Sequence, residues 1–248
     1  VELTSLGIDI GPARWDDDDW ESKVQLLIDR PVPWVSFTFG VPGAELARRL
    51  RAAGSRLLMT VTDVEEACAA ARLEPAGLIV QSAAAGGHRA TFDQRHHPGS
   101  EPLIDLIAAV VAATALPVVA AGGLATRHDV RQALEAGAEA VAVGTALLLA
   151  DEADTRATHR EALTSPSATT TTMRAYTGRV ARGIRTGFSD RYDQIAPAGY
   201  PAVHHMTAPM RRWAADRGDA QHLHLWAGTG HHLAASGPAA DLLRALEP

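Results

Sequence analysis

Cysteine and lysine are almost missing from this 248-residue chain, with one of each. A lone cysteine, Cys68, excludes an internal disulfide and a cysteine-built zinc site. Its alanine-rich helical surroundings read as a place for a small core filler rather than a nucleophile. The lone lysine, Lys23, precedes the first clear strand. Schiff-base enzymes and P-loop NTPases need a lysine at a defined strand end or loop, so both classes are disfavoured. The patterns G-x-S-x-G, H-E-x-x-H and G-x-G-x-x-G are also absent. No apolar run reaches the roughly 20 residues of a membrane span, and the cysteine usage suits a reducing cytoplasm. Lys+Arg is 23 against Asp+Glu 29, a net charge of −6, which offers no basic footprint for nucleic acid. The 46 % hydrophobic and 21 % charged content is that of a soluble globular enzyme with room for a sizeable core.

What is present is a rhythm. Five short apolar, β-branched runs, Val35–Phe39, Leu57–Val61, Leu78–Gln81, Val118–Ala121 and Val141–Val143, read as strands. Helical patterns over Ala44–Ala53, Val64–Arg72, Leu103–Ala113 and Arg127–Ala136 lie between them. Asp63 with Glu66, and Thr126 with Asp129, mark helix starts, while Gly54 and Gly137 suit helix ends. The runs lack strict polar alternation, which favours a parallel sheet covered on both faces. Strand starts are spaced by 22, 21, 40 and 23 residues. The long interval predicts an extra element within Ser82–Ser100, at the C-terminal end of a strand, where parallel α/β folds carry function.

Three segments are therefore expected: 1–33 as an N-terminal segment and linker, 34–150 as βα units, and 151–248 as a helical and loop region. In the last, Asp151–Leu163 reads as a helix and Ser165–Thr172 as a Ser/Thr-rich connection. Five strands do not close an eight-stranded barrel. The chain opens at Val1 without Met, and upstream residues carrying further strands are expected.

Two strand ends carry adjacent glycine turns, Gly122-Gly123 and, one unit later, Gly144-Thr145. Such paired turns let backbone N–H groups approach a phosphate, with a helix start nearby to favour the anion. Gln81 closes the third strand and offers both a donor and an acceptor. Gly86 and Gly87 free the following backbone for close approach, and His88 adds a group that titrates near neutrality. Asp16–Asp19 reads as a solvated acidic loop. The pairs His96-His97, His204-His205, His222/His224 and His231-His232 lack a metal-ligand pattern, so no metal site is assigned. Trp213 and Trp226 read as packing residues.

Three segments then resemble, in order, the nitronate monooxygenase family, also called 2-nitropropane dioxygenases. Val35–Pro42 is similar to its VSFxFGxP strand, Gln81–Arg89 to its QGxEAGGHRG loop, and Pro117–Leu149 to its PVxAAGGI…GAxxVxxGTAFL segment. Gly178–Gly187 and Trp226-Ala227-Gly228 resemble the region after the barrel more loosely. Ala84 stands where the family usually has Glu, Ser82 and Ala90 replace glycines, and Thr186 stands where Asn is common.

The resemblance implies an FMN-dependent TIM-type (β/α)8 barrel, of which this chain carries about five C-terminal βα units; the family's first three units have no counterpart here. It implies that Gln81, Gly86 and Gly87 line the flavin, that Gly122, Gly123, Gly144 and Thr145 hold its phosphate, and that His88 is the catalytic histidine. The implied activity is oxidation of alkyl nitronates with O2 to a carbonyl compound and nitrite. The related FMN-dependent enoyl-acyl-carrier-protein reductase, drawing hydride from NAD(P)H, and a flavin-binding protein without turnover remain alternatives. Small-molecule substrate and O2 are the expected partners, with no nucleic acid or membrane, and self-association is left open.

Overall fold

The computed structural model describes residues 2–96 and 99–248; His97 of the His96-His97 pair lies outside them. After a short helix α1 (Glu2–Ser5) and α2 (Trp20–Asp29), β1 (Trp34–Phe37), α3 (Ala44–Ala52), β2 (Arg56–Val61), α4 (Val64–Ala71) and β3 (Gly77–Gln81) alternate. A two-residue strand β4 (Gly87–His88) precedes α5 (Leu103–Thr114), β5 (Val118–Ala121), α6 (Arg127–Glu135) and β6 (Ala140–Ala142). The five expected runs are strands, and β4 is the extra element foreseen in the long interval. The first run ends early, because Phe39 takes φ +72° and turns the chain out of the sheet.

β1, β2, β3, β5 and β6 pair in parallel and in sequence order. That order has no reversal, so right-handed crossovers place successive helices on one side. Accordingly α4 packs on α5, and α5 on α6. Parallel register aligns residues into rows across the sheet. Phe37, Met59, Leu78 and Val118 form one such row on the helix side and are buried. Ala47, Leu50, Ala67, Ile107 and Val110 from the helices complete that core. The opposite rows, including Leu58, Ile79 and Val119, are only half-buried, so cover is heavier on one face than expected. Among the described residues β1 and β6 are the two edges and the barrel does not close.

The helix signals act as read, with one variation. Thr126 and Asp129 make a reciprocal capping box. Asp63 caps α4, but Glu66 reaches past it to accept from Thr62 N and Oγ1, each at 2.8 Å, and from Phe92 N at 2.6 Å. This buried carboxylate ties the β3–α5 loop to the end of β2. Gly54 and Gly137 have φ of +105° and +108°. Cys68 is a correction: it is exposed on the outer side of α4, while its neighbours Ala67 and Ala70 enter the core. Alanine on both sides of the helix had hidden which face is inward.

The C-terminal part also corrects the helical and loop expectation. Helix α7 is Ala157–Thr164, shorter than Asp151–Leu163, because Asp151 N bonds Gly237 O and Ala153 N bonds Ala150 O, which turns the chain before the helix starts. The Thr-rich connection contains a strand, β7 (Thr170–Met173), which pairs with β8 (Ala181–Ile184). β4 joins their other edge, His88 opposite Ala181, giving a three-stranded antiparallel sheet. Short α8 (Gly187–Tyr192), α9 (Ala202–Arg217) and α10 (Ala239–Leu246) follow. Met173, Tyr176, Phe188 and Met210 form one apolar cluster here, and Leu163, Ile184, Leu223 and Leu225 another.

Candidate functional site

Register builds the floor of the site. Gln81, Ala121 and Ala142 are neighbours in one row at the C-terminal ends of β3, β5 and β6. Together with the turns that follow, they line a cavity of about 280 Å³. Gly86, Gly122, Gly123, Gly144 and Thr145 all border it, so six of the seven residues expected around a cofactor meet in one place. Gly87 does not: it borders a separate cavity of about 510 Å³ with Arg89 and Arg182. Among the described residues no lining residue of the smaller cavity is charged, and Gln81 and Thr145 are its only polar side chains.

The glycines serve two ends. At Gly122, φ is +106° and a Cβ would lie 2.7 Å from Ser82 Oγ and 2.9 Å from Ala85 N. At Gly86 a Cβ would strike the backbone of Ala227 and Gly228, at 2.7 and 2.6 Å. Those two allow protein segments to approach each other. Gly144 is different: its φ is −123°, and a Cβ there would meet nothing within 4 Å. It leaves a space at the cavity wall that a side chain would fill. An anionic group met by backbone N–H donors suits such a wall. These residues therefore fit a flavin phosphate.

The start of α6 contributes less than its position promised. Asp129 Oδ2 accepts from Ala125 N at 3.0 Å and Thr126 N at 2.8 Å, so that helix end already holds a carboxylate. Gln81 is likewise engaged. Its Nε2 donates to His88 O at 3.1 Å and its Oε1 accepts from Ala90 N at 2.9 Å, fixing the fold of the His88 loop.

Residues from the C-terminal layer complete the cavity; Gly228 belongs to the Trp226-Ala227-Gly228 stretch of the resemblance, while Gly230 carried no readable signal. Gly228 and Gly230 border it. Gly228 N donates to Thr145 Oγ1 at 2.9 Å, and Thr229 N to Ala84 O at 3.0 Å. The Thr145 hydroxyl proton stays available for a ligand. Arg182 Nε donates to Ala83 O at 2.7 Å and steadies the same loop.

His88, whose carbonyl accepts from Gln81, has an aromatic surround. Its ring centroid is 5.4 Å from that of Trp226, 5.7 Å from Tyr200 and 6.2 Å from Phe39. Burial, with Arg179, His204 and Arg211 adding repulsion, pushes its pKa down to about 4. The imidazole is thus neutral at pH 7. Its Nε2 lies 2.9 Å from Thr177 Oγ1. The Thr177 hydroxyl donates to Arg179 O at 3.2 Å and accepts from Arg179 N at 3.3 Å. Thr177 thus anchors the Nε2 edge of the imidazole and leaves Nδ1 without a bond to it. Trp226 packs as expected, against both His88 and Tyr176. Trp213 packs on His222 and under Arg217.

Comparison with known proteins gives a consistent result. A solved structure of nitroalkane oxidase from Streptomyces ansochromogenes superposes with TM-score 0.93 at 41 % identity, over 99 % of this chain and 72 % of that one. The nitronate monooxygenase of Pseudomonas aeruginosa is 39 % identical over 89 % of this chain and 64 % of its own length. FabK from Thermotoga maritima, at 24 % identity, TM-score 0.75 and coverage of 92 % of this chain and 71 % of that one, shares the fold. The chain spans 64–65 % of the length of the curated relatives it matches. Among the described residues no helix is long and apolar enough to cross a membrane. The nitronate monooxygenase family model matches residues 4–248, and the chain belongs to that family.

Proposed function

We propose that this protein binds FMN and oxidises alkyl nitronates with O2 to a carbonyl compound and nitrite. The observation that carries the reading is the convergence of Gly122, Gly123, Gly144 and Thr145 on one uncharged cavity with Gly86 and with Gln81, which also holds the carbonyl of His88. The names of the relatives at 39 % and 41 % identity support the substrate class.

In this reading the Gly122–Gly123 and Gly144–Thr145 turns hold the FMN phosphate, the Thr145 hydroxyl adds a donor, and Gly86 and Gln81 lie toward the ring. FMN when bound supplies one-electron and O2 chemistry. The chain supplies position and proton control. His88, neutral at pH 7, takes the α-proton of a neutral nitroalkane at Nδ1, while Thr177 holds its other nitrogen. With its pKa near 4 it is a weak base, well suited to a substrate that arrives as a preformed nitronate and needs only orientation. Trp226, Tyr200 and Phe39 keep water from that side of the ring.

The test is direct. Protein purified with its natural complement of flavin, or reloaded with FMN, is expected to show a flavin spectrum and to form nitrite from a nitronate while consuming O2. A protein that takes up no FMN overturns the cofactor reading. Oxidation of NADH with an enoyl thioester, and no nitrite from nitronates, would assign the reductase activity instead.

A further inference from the structure

A second cavity of about 530 Å³ lies between α7, α9 and the 223–226 segment, and shares no lining residue with the glycine-lined one. Arg156, Arg211 and Arg212 line it with His159, His204 and His224; among the described residues its only acidic lining residue is Asp154. Trp226 lies between it and His88, its ring 5.4 Å from His88 and 5.3 Å from His224.

Arg211 is the anomaly. Its Nη2 donates to His204 O at 2.8 Å, and its Nη1 lies 3.5 Å from His224 Nε2. Its Nε is buried with no partner among the described residues. The charged group that acts most on it is Arg212, another cation. Two more buried atoms on residues of the same wall, His224 Nδ1 and His159 Nε2, also lack partners. Buried charges are ordinarily paired, and buried polar atoms ordinarily bonded. Water could satisfy the hydrogen bonds, but it does not neutralise the guanidinium.

We infer that this cavity binds a small organic anion through an oxyanion head, a phosphate or a carboxylate, with Arg211 as its principal counterion and His224 as a neighbouring donor. The volume is several times that of the head group alone, so the ligand carries an organic portion against Trp226, Leu223 and Leu225. The inference does not depend on the nitronate reading, and its readout is binding rather than turnover.

The experiment is a titration of the full chain with inorganic phosphate and, separately, acetate, at constant ionic strength, followed by the side-chain 15N resonances of histidine. Saturable shifts of His224 are expected with at least one of the two anions. The anion that binds identifies the head group. In Arg211→Gln the affinity should fall at least about tenfold, a loss of about 1.4 kcal/mol. Arg48→Gln, at an exposed arginine paired with Glu45 on α3, should leave it unchanged. Should Arg211→Gln fail to fold by near-ultraviolet circular dichroism, Arg212→Gln and His224→Asn carry the test, each weakening binding several-fold. No saturable shift with either anion overturns the inference. So does an Arg211→Gln protein that folds and binds normally, or an equal loss in Arg48→Gln.

Discussion

The glycine-lined cavity and the side-chain cluster around His88 are built on opposite principles. The first is made of main chain: strand ends and turns of the parallel sheet, with hardly a functional side chain. The second is made of side chains, Phe39, Thr177, Tyr200 and Trp226, that converge on one imidazole from remote parts of the sequence. A backbone site fails when a side chain intrudes on it. A side-chain site is set by burial and by the charges around it, and fails when its chemistry is altered.

Changes in each region should separate the two. The largest expected effect is in the side-chain pocket. With FMN bound, His88→Asn should lower turnover of neutral nitroalkanes by about 10²–10⁴-fold, the usual worth of a general base, and turnover of preformed nitronates far less. Steady-state kinetics on both substrate forms reads this, and equal losses would assign His88 to orientation alone.

Next comes the pH dependence of folding, which buried imidazoles impose and the backbone site does not. The pKa of His88 is pushed down to about 4 and that of His224 to about 3, both chiefly by burial. Unfolded histidine titrates near 6.5. Above that value the stability is complete. As pH falls toward 4 the unfolded chain gains protons that the folded one refuses, and stability is lost. His88 alone accounts for about 3 kcal/mol of that loss. Urea denaturation at pH 7 and pH 4 should show it, with a shallower decline in His88→Asn.

A smaller effect belongs to the backbone site. Gly144→Val, at an unstrained φ and pointing into open space, should leave stability within about 0.5 kcal/mol of the parent and weaken FMN binding at least about tenfold, or 1.4 kcal/mol. Gly122→Ala should do the reverse, lowering stability by about 1–3 kcal/mol through its positive φ. Calorimetric titration with FMN and urea denaturation distinguish them.

The smallest effect tests where the backbone site ends. Thr126→Ala removes a helix cap worth about 1 kcal/mol. It should leave FMN affinity unchanged, because Asp129 already occupies the start of α6.

These contrasts follow what was legible in the sequence. Val35, Leu57, Leu78, Val118 and Val141 mark strands because each run is locally apolar and β-branched, and the helices between them carry their own caps. The turns Gly122-Gly123 and Gly144-Thr145 were readable for the same reason, since a strand end and a glycine pair are neighbours in the chain. β7 was not. Thr170–Met173 has a weak apolar pattern and pairs through β8 with a strand two residues long, so its partners lie outside any local window.

The sequence by itself determined the order of the βα units along the chain, the helix starts and the glycine turns at the ends of β5 and β6. All are encoded by residues that are near neighbours in the chain. Only the tertiary structure decided that Gly228 bonds Thr145, that Thr177 meets the ring of His88, and that Arg211 is enclosed with three imidazoles. Each pairs groups from distant stretches of the chain, or depends on burial. A pKa near 4 for His88 exists only once water has been removed from the ring, and no residue type or spacing encodes how completely a folded chain excludes it.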